Sequence, residues 1–217
     1  MKKIRNLAGK IKDNLVGHFI DTTALLAEST PVYAAFETKL AGMSDEISIN
    51  ARLFAAGLSY FAGMGWAFAR GRDLSRKLFK IKDETNEGLQ YSHDTGYCAA
   101  FNLVLAPPIY YASGSRDLTE IAIGTGAAMV FSLVNGWPLG YSVDLFRDLT
   151  GLNECNRPSY PDIIKRQTPR IKKTLAGLLV IGAIALTAGI YALTPDQSVE
   201  VNKQQPQIVE QYDPQGK

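Results

Sequence analysis

Residues 121–149 read IAIGTGAAMVFSLVNGWPLGYSVDLFRDL. Two signals share this stretch. Ile121–Val143 holds 23 residues without a charge, and at a rise of ~1.5 Å per residue a helix of that length crosses the ~30 Å hydrocarbon layer of a membrane. The closing segment, GWPLGYSVDLFRDL at 136–149, repeats GWAFARGRDLSRKL at 65–78. Six of the 14 positions agree: Gly65/Gly136, Trp66/Trp137, Asp73/Asp144, Leu74/Leu145, Arg76/Arg147 and Leu78/Leu149. Unrelated segments would share about one. The period is 71 residues, and these are the only two tryptophans in the chain.

Uncharged runs recur on both sides. Thr174–Thr194 (21 residues), Thr95–Ser115 (21) and Leu53–Ala69 (17, extendable back through Ile49) also lack charge. One such run could be the core helix of a soluble domain. Four in 217 residues read as transmembrane helices. A fifth, Asn14–Phe36, is long enough to span but contains Asp21 and Glu28. Whole-chain averages conceal this, because 46% hydrophobic, 20% charged, net charge +2 and mean hydropathy −0.05 are values of an ordinary soluble protein. They exclude disorder throughout, and two cysteines exclude a disulfide-built scaffold.

Charge position orients the runs. Lys and Arg number 5 in residues 1–13, 2 in 37–52, 6 in 70–93, 1 in 116–120, 7 in 145–173 and 2 after Thr194. With five spans starting inside, 18 of the 23 fall on the cytoplasmic side, as the positive-inside rule requires. Omitting the first span destroys the alternation. The expectation is a multi-pass protein of the cell (inner) membrane with a cytoplasmic N-terminus and an extracytoplasmic C-terminus. Basic loops explained by topology need no nucleic-acid partner.

The fold class expected is an all-α membrane protein of two parallel two-helix repeats (four spans) plus a fifth C-terminal transmembrane helix. Its parts are a basic amphipathic cytoplasmic segment at 1–13, the first repeat at 14–78, a cytoplasmic loop at 79–93 and the second repeat at 94–149. A cytoplasmic loop at 150–173, the fifth helix at 174–194 and a disordered, acidic, extracytoplasmic tail at 195–217 complete the chain. Looser echoes extend the repeat upstream: Asp21-Thr22 with Asp94-Thr95, and Pro31-Val32-Tyr33 with Pro108-Ile109-Tyr110. Small residues four apart, Ala55–Ser59–Gly63–Ala67–Gly71 and Gly124–Ala128–Ser132–Gly136–Gly140, mark close-packing ridges on spans two and four.

Candidate functional residues follow from burial cost. A carboxylate in lipid is expensive unless paired or protonated, so Glu28, with Asp21 one heptad earlier, is the candidate proton-coupling acid. Asn102, Asn135 and Ser132 are interior polar groups suited to a small solute. Pro31 and Pro108 each free a backbone carbonyl that could accept from an ammonium group. Plain readings stand beside these: amides as interhelical glue, prolines as kinks, Glu28 as an acid paired with Asn102 or Asn135. Asp73-x-x-Arg76 and Asp144-x-x-Arg147, at i,i+3 spacing beside Trp66 and Trp137, form a candidate cytoplasmic gate or, equally, surface ion pairs. Cys98 and Cys155 are not expected to pair, no metal-ligand spacing exists, and no motif of an enzyme or a cofactor site occurs.

In order and spacing, Asp21-Thr22, Gly42-Met43-Ser44, Arg52-Leu53, Trp137-Pro138-x-Gly140-x-x-x-Asp144-Leu145-Phe146 and the echo from Trp66 to Leu74 resemble the L-alanine exporter (AlaE-type) family over roughly residues 18–150. The resemblance implies a four-span inner-membrane exporter of L-alanine driven by the proton gradient. It supplies no catalytic residues, and the fifth helix and tail lie outside it. The expected partners are the lipid bilayer, a small amino acid, protons and a second copy in a homo-oligomer. The alternative is a non-transporting membrane scaffold or assembly subunit.

Overall fold

The computed structural model describes residues 2–40, 45–112, 116 and 118–194. Among them every regular element is helical. Helix α1 (Lys2–Ala35) runs straight into a π-helical turn at Phe36–Leu40, followed by α2 (Asp45–Phe61), α3 (Met64–Leu78), α4 (Glu87–Ala112), α5 (Leu118–Thr150), the short α6 (Asp162–Lys165) and α7 (Pro169–Ala192).

Helix α5 carries the stretch at 121–149 and packs most closely against α4. Small residues explain the approach. A Cβ on Gly136 would lie 2.6 Å from the Thr95 Cα, and one on Gly140 would collide with the Asp94 carboxylate. One turn earlier, Ser132 accepts from Asn102 at 2.6 Å. The expected ridge Ser132–Gly136–Gly140 is therefore the face of α5 that meets α4. The first copy of the motif packs in the same way. A Cβ on Gly65 of α3 would lie 3.0 Å from the Thr22 Cα of α1. The repeated glycine meets the repeated threonine both times.

The second uncharged run departs from expectation. Leu53–Ala69 is not one helix, because it breaks at Ala62-Gly63 between α2 and α3. Gly63 adopts the left-handed conformation (φ 74°, ψ 15°), which costs a residue without Cβ little. The Tyr60 carbonyl at the break accepts from His18 Nε2 at 2.8 Å. This break cuts the ridge Ala55–Ser59–Gly63–Ala67–Gly71. At the prolines, where a break was expected, the helices continue: Pro31 lies inside α1, and Pro107 and Pro108 lie inside α4. Residues 2–13 are also continuous with α1 rather than a separate surface segment. The acidic tail and Gly42-Met43-Ser44 lie outside the described residues.

Helix α7 begins where Thr168 caps the Ile171 amide and Pro169 takes the first turn, a standard start signal. It leans on α1 and α5, and among its residues only Ala176 is buried. Lys39 Nζ donates to the Leu193 carbonyl at 2.8 Å near its far end. Among the described residues, α7 is the one helix long and apolar enough to cross a membrane by length and composition.

The bundle interior is unusual for a water-soluble protein. Among the described residues, buried polar and charged ones number 17 against 16 apolar ones, while Leu53, Phe61, Leu74, Val104, Val130 and Val134 stand exposed. Soluble folds sort these classes the other way.

Candidate functional site

Carboxylates and arginines from α1, α3, α4, α5 and the 151–161 loop converge at one end of the bundle. From Asp94 the rest of α4 rises about 27 Å to Ala112. The charges therefore sit at the end of the apolar lengths rather than in their middle.

Two clusters form, and they are built alike. Arg147 grips Asp21 with two hydrogen bonds (Nε to Oδ1 2.7 Å, Nη2 to Oδ2 2.9 Å) and reaches Asp73 through Nη1 at 3.0 Å. Arg76 grips Asp94 the same way (Nε to Oδ1 3.1 Å, Nη2 to Oδ2 2.8 Å) and reaches Asp144 through Nη1 at 3.3 Å. Each repeat's arginine thus serves the two aspartates of the other repeat. The i,i+3 pairs expected within Asp73–Arg76 and Asp144–Arg147 do not form. An exposed i,i+3 pair is worth only a few tenths of a kcal/mol, whereas a buried guanidinium needs several charged acceptors.

The clusters are not equivalent in charge. The second also holds Arg72, fully buried, which binds Asp94 (3.1 Å twice) and Asp144 (3.0 and 2.6 Å), both bidentate. The repeat counterpart of Arg72 is Val143. Arg157 comes from the loop and bridges Glu87 (2.6 Å), Asp144 (3.1 Å) and Asp94 (3.3 Å). Gln90 accepts from Arg76 at 3.1 Å and ties back to the Asp83 and Thr85 carbonyls. His93 bridges Asp94 and Ser75. Three arginines therefore balance Asp94, Asp144 and Glu87, while Arg147 alone faces both Asp21 and Asp73. Alternation of charge-free runs could not reveal Arg157, Glu87 or Gln90, which lie in stretches legible only as charged loops, and Arg72, inside the first copy of the motif, has no matching arginine in the second.

The remaining candidates fall further along the bundle. Asn135 Nδ2 donates to Glu28 Oε2 at 3.3 Å, and Asn102 pairs with Ser132. These four form two polar contacts between α1, α4 and α5, so Glu28 has the amide partner that the plain reading named. Pro31 is buried, but Pro108 is exposed and lines no interior surface. The tryptophans diverge as well. Trp66 is exposed, whereas Trp137 Nε1 donates to Glu87 Oε1 at 3.1 Å.

Between the clusters lies a polar cavity of about 330 Å³, walled by Asp73, Arg76, Asp144 and Arg147, the four charged residues of the expected gate, together with Lys77 and the loop. At its rim burial raises the Asp83 carboxyl, with the nearby Asp144 charge adding to it. Burial also pushes the Cys155 thiol up to about 11. Glu87 goes the other way: burial alone would raise it, but hydrogen bonds from Trp137, Arg157 and Ser159 hold it below the ordinary range. Among the described residues no group of His, Cys, Asp and Glu could hold a metal ion. Chemically the arrangement can fix helix ends, and its cavity can hold a small charged or zwitterionic solute. No protein-family model, curated protein or solved structure matches the chain.

Proposed function

We propose that this chain is a membrane-embedded secondary transporter that exports L-alanine or another small neutral amino acid, coupled to the proton gradient. The observation that carries the membrane reading is the inverted sorting of side chains, with charge and amide inside and large aliphatic and aromatic groups outside on α2, α3, α4, α5 and α7. Bilayer contact accounts for that exterior over α1, the broken α2–α3 arm, α4 and α5 as two parallel repeats, with α7 as a fifth span. The broken arm supports transport further, since helices interrupted within a membrane commonly accompany solute pathways. Glu28, held by Asn135, is the coupling acid. The choice of substrate rests on the AlaE-type residues quoted above.

Efflux of preloaded L-alanine from vesicles carrying the full chain, with and without a pH gradient, tests this. Gradient-accelerated efflux is expected, with acceleration lost in Glu28→Gln. Efflux that ignores the gradient removes the coupling, and no efflux of any amino acid removes the exporter.

One observation favours a second reading as an assembly subunit. Among the described residues, nothing covers most of the apolar surface of helix α7. Stable co-purification with a larger membrane partner, without solute flux, would select it.

A further inference from the structure

We propose that the cavity between the two arginine clusters is a recognition site for a small free α-amino acid, taking its ammonium on Asp73 and its carboxylate on Lys77. This rests on the exporter reading and moves solute capture from the mid-bundle amides to the charged end.

Several charges on the cavity wall are already committed to partners. Arg76, Asp144 and Arg147 on the cavity wall are consumed by the two clusters. Asp73 is only half used: its Oδ1 accepts from Arg147, its Oδ2 has no partner among the described residues, and its side chain is 28% exposed. The first cluster carries one arginine for two aspartates, so a further cation beside Asp73 completes its balance. Lys77, one turn along the same face of α3, and Arg70, one turn back, both line the cavity and make no ion pair among the described residues; Arg70 also reaches the Asn14 amide oxygen at 3.4 Å, which leaves Lys77 the freer of the two. Groups of both signs with unused capacity therefore face one space, the second oxygen of Asp73 and Glu154 against Lys77 and Arg70. A simple cation or anion would satisfy one and leave the other opposed, whereas a zwitterion satisfies both and adds no net charge.

Size and lining narrow the class. About 330 Å³ lies at the small end of ligand sites, which run from roughly 300 to 1,000 Å³. Ile81 and Cys155, both buried, supply the apolar part of the wall, suited to a short side chain. Glu154 stands on the same wall and disfavours an acidic side chain. The substrate class is thus small, neutral and zwitterionic.

The test is equilibrium binding of radiolabelled L-alanine to the purified full-length chain in lipid nanodiscs. Ethylamine, which has only the ammonium, and propionate, which has only the carboxylate, serve as competitors. Glycine and serine should compete, and the two half-molecules should not. Asp73→Asn and Lys77→Gln should each weaken binding on the order of tenfold, as expected for losing one charge-assisted contact. Asp73→Glu should recover most of it, and Lys77→Gln should weaken binding with thermal unfolding unchanged, which separates lost recognition from the destabilisation that Asp73→Asn brings by releasing Arg147. Alanine binding and efflux that persist unaltered in both variants overturn this site and leave the exporter intact. Displacement by propionate alone overturns the zwitterion. Absence of both binding and efflux for every amino acid overturns the exporter reading itself.

Discussion

Arg147 shows how little a residue's own helix decides about its partner. Asp144 lies three residues earlier on α5, at a spacing that permits contact, yet the guanidinium turns to Asp21 and Asp73. Burial sets the preference: a guanidinium removed from water needs a bidentate carboxylate and a second acceptor, which one i,i+3 neighbour cannot supply. A double-mutant cycle separates the alternatives. Asp73→Asn with Arg147→Gln should show a coupling of about 0.5–3 kcal/mol in unfolding free energy, and Asp73→Asn with Arg76→Gln should be additive. The reverse result would restore pairing within the motif. Glu87 allows a pH prediction at the same scale. Its folded pKa lies below the ordinary value, so its stabilisation is full above the carboxylate range and fades as pH falls through it. Glu87→Gln should lower the unfolding temperature at neutral pH and lower it less at acid pH, as the wild-type carboxylate takes up its proton below the ordinary carboxylate range. An equal loss at both pH values would assign Glu87 a packing role only.

At the scale of elements, two glycines do the same work in the two copies of the motif. Gly65 admits Thr22 of α1, and Gly136 admits Thr95 of α4. Alanine at either position forces the helices apart, at a cost of about 1–3 kcal/mol. Gly136→Ala should cost more, since its nearest obstacle is backbone at 2.6 Å, whereas at Gly65 the closest atom is a threonine hydroxyl that can rotate. Thermal unfolding of the two variants ranks them, and a larger loss at Gly65 would refute the ranking. The α2–α3 break illustrates a different physics. Gly63 permits a left-handed turn, and His18 takes the carbonyl at Tyr60. Glycines recur through the uncharged runs, and nothing in the local sequence distinguishes Gly63 from Gly57, which stays helical. Prolines, the conventional break signal, are absorbed within α1 and α4.

For the whole molecule, the two arms of the repeat interlock through exchanged arginines, so neither half carries a self-sufficient charge network. Expressing residues 1–78 and 79–217 as separate chains should give a complex that assembles only when both are present. Recovery of each half as an independently folded species, read by protease resistance, would contradict the interlock. The proposed topology predicts that a reporter fused at the N-terminus responds as cytoplasmic and one fused at the C-terminus as extracytoplasmic. Both termini on one side would demand an even number of spans.

The helical class, the apolar lengths and the equivalence of Gly65 with Gly136, Asp73 with Asp144 and Arg76 with Arg147 were legible along the chain. Those properties follow from local composition and identity, which a linear reading captures. Packing settled the rest: the aspartates and arginines exchange partners between repeats, Arg72 and Arg157 join them, and the second uncharged run breaks at Gly63. It also left a cavity faced by Lys77 and by the second oxygen of Asp73. Each of those outcomes depends on which long side chains meet once the helices pack. A buried charge selects its partner by desolvation and geometry across the bundle, and that selection leaves no periodic mark along the chain.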